Sequence, residues 1–178
     1  MDQNGSRRLS IRVLERRDLE EVRLLHNEDS TLSRLTDIRH VSESEQEAWF
    51  QSISTSRTSR RYVARLRETG ELVGIFRIDR IDSVNRNALV GADVVPKFRR
   101  QGYAKEMFEY FFAYLFQQWG LHRLGLVTLE TNETAIALYK KLGFVEEGRE
   151  REAIFRDGEF RDLIAMSLLA REWAGPRQ

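Results

Sequence analysis

No cysteine occurs anywhere in the chain. That excludes a disulfide scaffold, a thiolate metal site and a cysteine nucleophile, and it suits a reducing compartment. An excess of charge of one sign is also missing. Lys and Arg number 29 against 28 Asp and Glu, so no strong global field draws the chain to nucleic acid or to a membrane surface. No apolar run approaches bilayer-spanning length. Met1 to Ser10 are polar, with Arg7 and Arg8, and no apolar core follows them. A secretory signal and a membrane partner are therefore not expected, and the cytoplasm is the expected address. His26, His40 and His122 are scattered without metal-ligand spacing, and no metal is expected. Repeats, linkers and low-complexity tracts are absent as well. A chain of 178 residues is then expected to form one domain with a sizeable core.

What is present is most informative at residues 89–104. A strand-like run, Leu89-Val90-Gly91-Ala92-Asp93-Val94-Val95-Pro96, breaks into Lys97-Phe98-Arg99-Arg100-Gln101-Gly102-Tyr103-Ala104, and a long helical pattern follows. The first turn of a helix carries unpaired N–H groups and the positive end of the peptide dipoles. Gly102 and Ala104 let a phosphate approach that backbone closely. The spacing Arg99-x-x-Gly102-x-Ala104 is neither the dinucleotide fingerprint nor a Walker loop.

This segment resembles the pyrophosphate loop of the GCN5-related N-acetyltransferases, the GNAT family, which reads Q/R-x-x-G-x-G/A between the fourth strand and the third main helix. About thirty residues on, Leu129 to Phe144 resembles a second family segment: a strand, an Asn, a short helix, a Tyr, then Leu-Gly-Phe. The local chemistry agrees. Asn132 is a good N-cap, Ile136, Tyr139 and Leu142 share a helical face, and Gly143 stands where a left-handed C-cap is wanted. The resemblance runs from about residue 9 to 170 and is most specific between 89 and 145.

Around these motifs, Leu9, Ile11 and Val13 alternate as a first strand, and Asp18 reads as the N-cap of a helix carrying Leu19, Val22 and Leu25. Residues 28 to 41 read as irregular. Ser42-Glu43-Ser44-Glu45 fits a capping box opening a helix with Trp49, Phe50 and Ile53 inside. Strands are predicted at 62–66, 72–81, 85–95, 122–129, 145–155 and 159–168, the last two joined by the hairpin signal Asp157-Gly158. The aromatic helix after the loop, with Phe108, Phe111, Phe112 and Phe116, reads as core packing. The expected fold class is α/β: a GNAT-like single domain at 9–173, with a mixed, mostly antiparallel central sheet and helices on both faces. Residues 1–8 are expected to form a flexible N-terminus and 174–178 a tail.

The resemblance implies an acetyl-CoA-dependent N-acetyltransferase, with acetyl-CoA as co-substrate and no metal. It places the pantetheine along the open edge of the central strand, where the backbone N–H of Val94 or Val95 donates to the thioester carbonyl. The backbone of Arg100, Gln101, Gly102, Tyr103, Ala104 and Lys105 is expected to cradle the pyrophosphate, with Lys97, Arg99 and Arg100 as possible phosphate partners and Asn132 as N-cap and cofactor contact. Tyr139 matches the family's general acid for the departing thiolate. The base stays open between Asp93, Glu130 and a water chain. Family members that carry a Glu five residues before the Asn differ from this chain, which has Val127 there, and a Glu common early in the central strand is replaced by Leu89.

Branches that acetylate ribosomal-protein N-termini, spermidine and nucleotide-linked amino sugars all look similar. The acceptor is left as a primary amine on a small molecule or a peptide N-terminus. An acidic set, Glu28, Asp29, Glu43, Glu45 and Glu47, suits a polyamine, whereas Trp49, Phe50, Arg57, Arg60 and Arg61 suit a sugar nucleotide. A non-catalytic acyl-CoA-binding regulatory module is the alternative. A monomer or homodimer is expected.

Overall fold

The structure, a computed structural model, describes residues 8–175. Strand β1 (Leu9–Val13) leads into helix α1 (Leu19–Asn27), the short α2 (Asp29–Leu32) and α3 (Glu43–Thr55). Strands β2 (Arg60–Leu66), β3 (Leu72–Asp82) and β4 (Asn87–Val94) follow as a meander, then α4 (Tyr103–Phe112), β5 (Arg123–Leu129), α5 (Glu133–Lys141), β6 (Val145–Arg156) and β7 (Glu159–Leu169). The seven strands form one sheet in the order β1-β2-β3-β4-β5-β7-β6. Every neighbouring pair is antiparallel except β4–β5. Among the described residues no helix is long and apolar enough to cross a membrane.

Successive side chains of a strand face opposite sides, and β3 shows what this does here. Phe76 and Ile78 enter a large core with Met107, Phe108, Phe111, Phe112 and Leu115 of the α4 region, while Ile75 enters a smaller core with Leu19, Val22 and Leu25 of α1. Phe76 stacks on Phe111 with ring centroids 3.9 Å apart and meets Phe108 edge-on at 5.2 Å. The aromatic helix is therefore a core element, and it continues into a π-helical turn at Ala113–Gln118.

The punctuation works as its local chemistry demands. Ser42 and Glu45 form the reciprocal box, with Ser42 N–H donating to Glu45 Oε2 at 2.9 Å and Glu45 N–H to Ser42 Oγ at 3.3 Å. Asp157 and Gly158 take φ of 50° and 81°, as a tight hairpin of this kind requires.

Four expectations are corrected. Part of 28–41 is helical, as α2. In α3 the residues Trp49, Phe50 and Ile53 are only half-buried, and the helix's buried residue is Gln46. Asp18 stands at the start of α1, yet its carboxylate does not cap the helix. It is wholly buried and accepts from Arg12 (2.7 and 2.6 Å), Arg65 (2.8 Å) and Glu15 N–H (2.9 Å). Arg8, placed in the flexible N-terminus, is tied to Glu106 Oε1 through its N–H and to Oε2 through Nε, each at 2.8 Å. The rest of that segment, residues 1–7, and the tail residues 176–178 lie outside the described part.

Candidate active site

The parallel pairing of β4 with β5 lasts only from Asn87 to Leu89, opposite Arg123 to Gly125. Beyond it β5 stays with β7 and β4 stays with β3. The two strands diverge, and a cleft of about 1650 Å3 opens between them. Its walls include Val90, Ala92, Asp93 and Val94 of β4, Leu126 to Thr128 of β5, Gly102 to Lys105 at the start of α4, and Asn132 and Tyr139 beside and within α5. The pieces lie far apart in sequence. The divergence brings them together.

The start of α4 presents unpaired N–H groups to the cleft. Gly102 takes a left-handed φ of 84°, with Arg100 two residues earlier at 62°. The first donor in the helix ladder is Glu106 N–H, to Gly102 O at 3.0 Å. The N–H groups of Tyr103, Ala104 and Lys105 precede it and have no carbonyl within the helix to bond. Arg8 lies over the Tyr103 ring at 4.1 Å and donates to Gln101 O at 3.1 Å, which adds a cation at the loop. Arg8 was not anticipated, because only folding brings β1 beside this turn.

Arg99 lines the cleft, with its guanidinium engaged inside the protein. Its Nε donates to Val94 O (2.9 Å), Nη1 to Ser30 Oγ (2.5 Å) and Nη2 to Thr31 Oγ1 (2.6 Å), and Glu28 lies 3.5 Å away. The side chain thus pins α2 to the end of β4. Lys97 is likewise paired, with Glu71 at 2.6 Å. Arg100 and Lys105 line the cleft.

Of the two candidate N–H groups on β4, that of Val95 is already committed to Val73 O at 2.9 Å. Backbone directions alternate along a strand, so the Val94 N–H points the other way, toward the gap left by β5. The end of β4 is also held very close to β3. A Cβ built on Gly74 falls 2.3 Å from the Asp93 carbonyl oxygen.

Asp93 projects into the cleft and its Oδ2 accepts from Arg77 Nη1 at 2.6 Å. Arg77 reaches it by lying across Gly91, where a Cβ would fall 2.6 Å from the guanidinium. No sequence motif singled out Arg77. The available signal was a charge inside a strand pattern, but its pairing with Asp93 depends on strand register. Tyr139 is buried beneath the same opening, with Phe108 and Phe144 rings 5.7 and 5.8 Å away. Burial pushes its phenol above the ordinary tyrosine value. The positive charge of Arg77 opposes that shift and the negative charge of Asp93 adds to it. The phenol is therefore protonated at neutral pH.

Asn132 caps α5, its Oδ1 accepting from Ala135 N–H at 3.3 Å. Leu89 and Val127 line the cleft as apolar wall. Glu130 is turned to Arg149 (2.5 Å) and to Asp162 N–H (3.3 Å) and is not among the residues lining the cleft. The acidic set proposed for a polyamine does not gather. Glu47 pairs with Arg16 at 2.7 Å, Glu28 accepts from the Ser30 and Thr31 hydroxyls, and of the set only Glu45 lines the cleft. Of the set proposed for a sugar nucleotide, Trp49 and Arg61 line it.

A diverging parallel pair in a mostly antiparallel sheet, with unpaired helix N–H groups at its mouth and a protonated phenol at its base, suits a site that holds an anionic ligand beside a proton donor. Residues 8–145 match the acetyltransferase (GNAT) domain family, and the chain belongs to the GNAT N-acetyltransferases, enzymes whose acyl donor is acetyl-CoA. Among relatives, the spermidine N(1)-acetyltransferase of Vibrio cholerae is 27% identical over 165 residues, which is 93% of this chain and 95% of that protein. The putative ribosomal N-acetyltransferase YdaF of Bacillus subtilis is 32% identical over 108 residues, 61% of this chain and 59% of that protein. The crystal structure of the Vibrio cholerae spermidine N-acetyltransferase in complex with CoA and spermine superimposes with a TM-score of 0.88 at 27% identity, covering 93% of this chain and 97% of that one.

Proposed function

We propose that the protein moves an acetyl group from acetyl-CoA to the primary amine of a small molecule or of a peptide N-terminus, by direct attack on the thioester. The observation that carries this reading is the meeting of the Val94 edge, Asp93 and Tyr139 in one cleft. The pyrophosphate lies on the N–H groups from Gln101 to Lys105, beside Arg8 and Arg100. The pantetheine follows β4 into the gap, with Asn132 at its side. Val94 N–H donates to the thioester oxygen as negative charge develops there. The amine nitrogen forms the new C–N bond, the C–S bond breaks, the nitrogen loses a proton and the thiolate gains one. Tyr139 supplies the thiolate's proton.

Asp93 takes the amine proton. Its Oδ2 is held by Arg77, which fixes the carboxylate at the cleft wall and leaves Oδ1 as the acceptor. Asp93→Asn is then expected to remove the acidic limb of the kcat/KM profile. An acidic limb that survives the substitution and moves with the acceptor's own pKa would return the proton to solvent and leave Asp93 a structural role.

The transferase reading is tested by amine-dependent release of the CoA thiol from acetyl-CoA. A module that only binds CoA gives tight binding and no release with any amine. The loop is tested separately. At Gly102 a Cβ meets nothing nearer than Arg8 Nη2 at 3.5 Å, and Asp tolerates a left-handed φ better than most residues. Gly102→Asp therefore meets no steric clash, costs some backbone strain at this left-handed φ, and sets a negative charge beside the pyrophosphate; it is compared with the parent as folded protein. A loss of about 2 kcal/mol in CoA binding is expected, roughly thirtyfold in Kd by calorimetry. Unchanged affinity would remove the pyrophosphate from this turn.

A further inference from the structure

The half of the cleft away from the α4 turn is framed by α3 and by the ends of β2 and β3. Its carboxylates are committed. Asp79 accepts from Arg61 at 2.8 Å, Asp93 from Arg77 at 2.6 Å, Asp37 from Arg39 at 3.0 and 2.6 Å, and Glu45 from Ser42. Three of the four, Asp79, Asp93 and Asp37, are already paired with arginines, so the net negative charge left for a polyamine is small.

The donors are in the opposite condition. Gln46 is 6% exposed and lines the cleft, yet its Nε2 is buried with no hydrogen-bond partner. Buried polar groups are almost always paired, so the Gln46 nitrogen is an unmet donor. No bond ties the nitrogen, and the terminal torsion of a glutamine is soft enough to reorient it. Arg80 also lines the cleft and is exposed, with no hydrogen bond or ion pair to a described residue. It sits at the irregularity in β3–β4 pairing, with a φ of 49°. A left-handed arginine is uncommon, and such conformations concentrate at functional sites.

Both donors line the one cleft. Gln46 and Trp49 share a face of α3 at i and i+3. Trp49 lies under Arg61 at 5.8 Å, Arg61 holds Asp79, and Arg80 is the next residue.

We propose that the acceptor is an amine that carries its own anionic oxygen group, a carboxylate or a phosphate ester, read by Gln46 and Arg80. This rests on the transferase reading above. The test is CoA thiol release by the full chain at saturating acetyl-CoA, with amines in matched sets. Each set holds an amine with a carboxylate, the same amine with a phosphate ester, and a neutral amide or alcohol counterpart. Spermidine is run beside them. The expected kcat/KM for an anionic member exceeds that of its neutral counterpart by about tenfold or more, a magnitude usual for a charge-assisted hydrogen bond. Whichever anionic arm is faster identifies the group. Arg80→Gln should shrink the anionic-to-neutral ratio and Arg80→Lys should keep most of it. The ratio is taken within one preparation, so the folded fraction cancels. Spermidine outpacing every anionic amine, or an unchanged ratio in Arg80→Gln, would overturn the proposal while leaving the transferase reading intact. No thiol release with any amine would overturn both.

Discussion

Tyr139→Phe is expected to lower kcat by about 10²- to 10⁴-fold, the usual cost of removing a general acid. The ring is packed between Phe108 and Phe144, and Phe keeps that packing. CoA affinity should hold. The loss should fall in kcat, because the hydroxyl acts as the thiolate leaves. Burial raises the phenol above its ordinary value. The parent enzyme should therefore keep its proton donor through the neutral and mildly alkaline range and lose rate only above it. Steady-state kinetics with saturating amine decide the matter: a variant turning over at the parent rate would leave Tyr139 a packing residue.

Asp18→Ala is expected to have the largest effect on stability. The carboxylate is wholly buried and joins β1, β2 and the start of α1 through Arg12, Arg65 and Glu15 N–H. Removing one partner of a buried ion network strands the others, at a cost of about 3–5 kcal/mol. For a domain of this size that is on the order of 10 °C in Tm. The same network sets an acid sensitivity. Burial pushes the carboxyl up, but the donors from Arg12, Glu15 and Arg65 overcome it and hold the pKa at about 2. The folded value lies below the unfolded one. The contribution is therefore fully present above the ordinary carboxylate range and is lost as pH falls toward 2. Denaturant midpoints between pH 5 and 2.5 should fall more steeply for the parent than for Asp18→Asn. Parallel slopes would remove Asp18 from the acid response. Because α1 carries Val22 and Leu25 into the cleft wall, this network also holds one side of the site in place.

Short-range chemistry was legible in the sequence. The Ser42–Glu45 box, the Asn132 cap, the left-handed Gly143 and the Asp157-Gly158 hairpin each involve residues within a few positions of one another, so composition and spacing suffice. The strand and helix pattern followed from hydrophobic periodicity, since each face needs apolar residues at its own repeat. The short α2 was not legible. It is four residues long, and its hydroxyls are held by Glu28 and Arg99 rather than by any apolar stripe.

The sequence by itself determined the class of fold, the turn at Gly102 that opens α4 and the candidate acid Tyr139, because each is written in contiguous residues. Only the tertiary structure decided how the rest is used. Arg77 meets Asp93 because the β3–β4 register sets Ile75 opposite Asp93 and Gly91 opposite Arg77. Arg99 is spent on residues 68 and 69 positions away. Val95 donates to β3, which leaves the Val94 edge to the cleft. Gln46 is buried where the helix pattern pointed to Trp49 and Phe50. In each case the deciding contact joins segments distant in the chain. The partner of a charged or polar group is then fixed by strand register and helix placement, which no local spacing encodes.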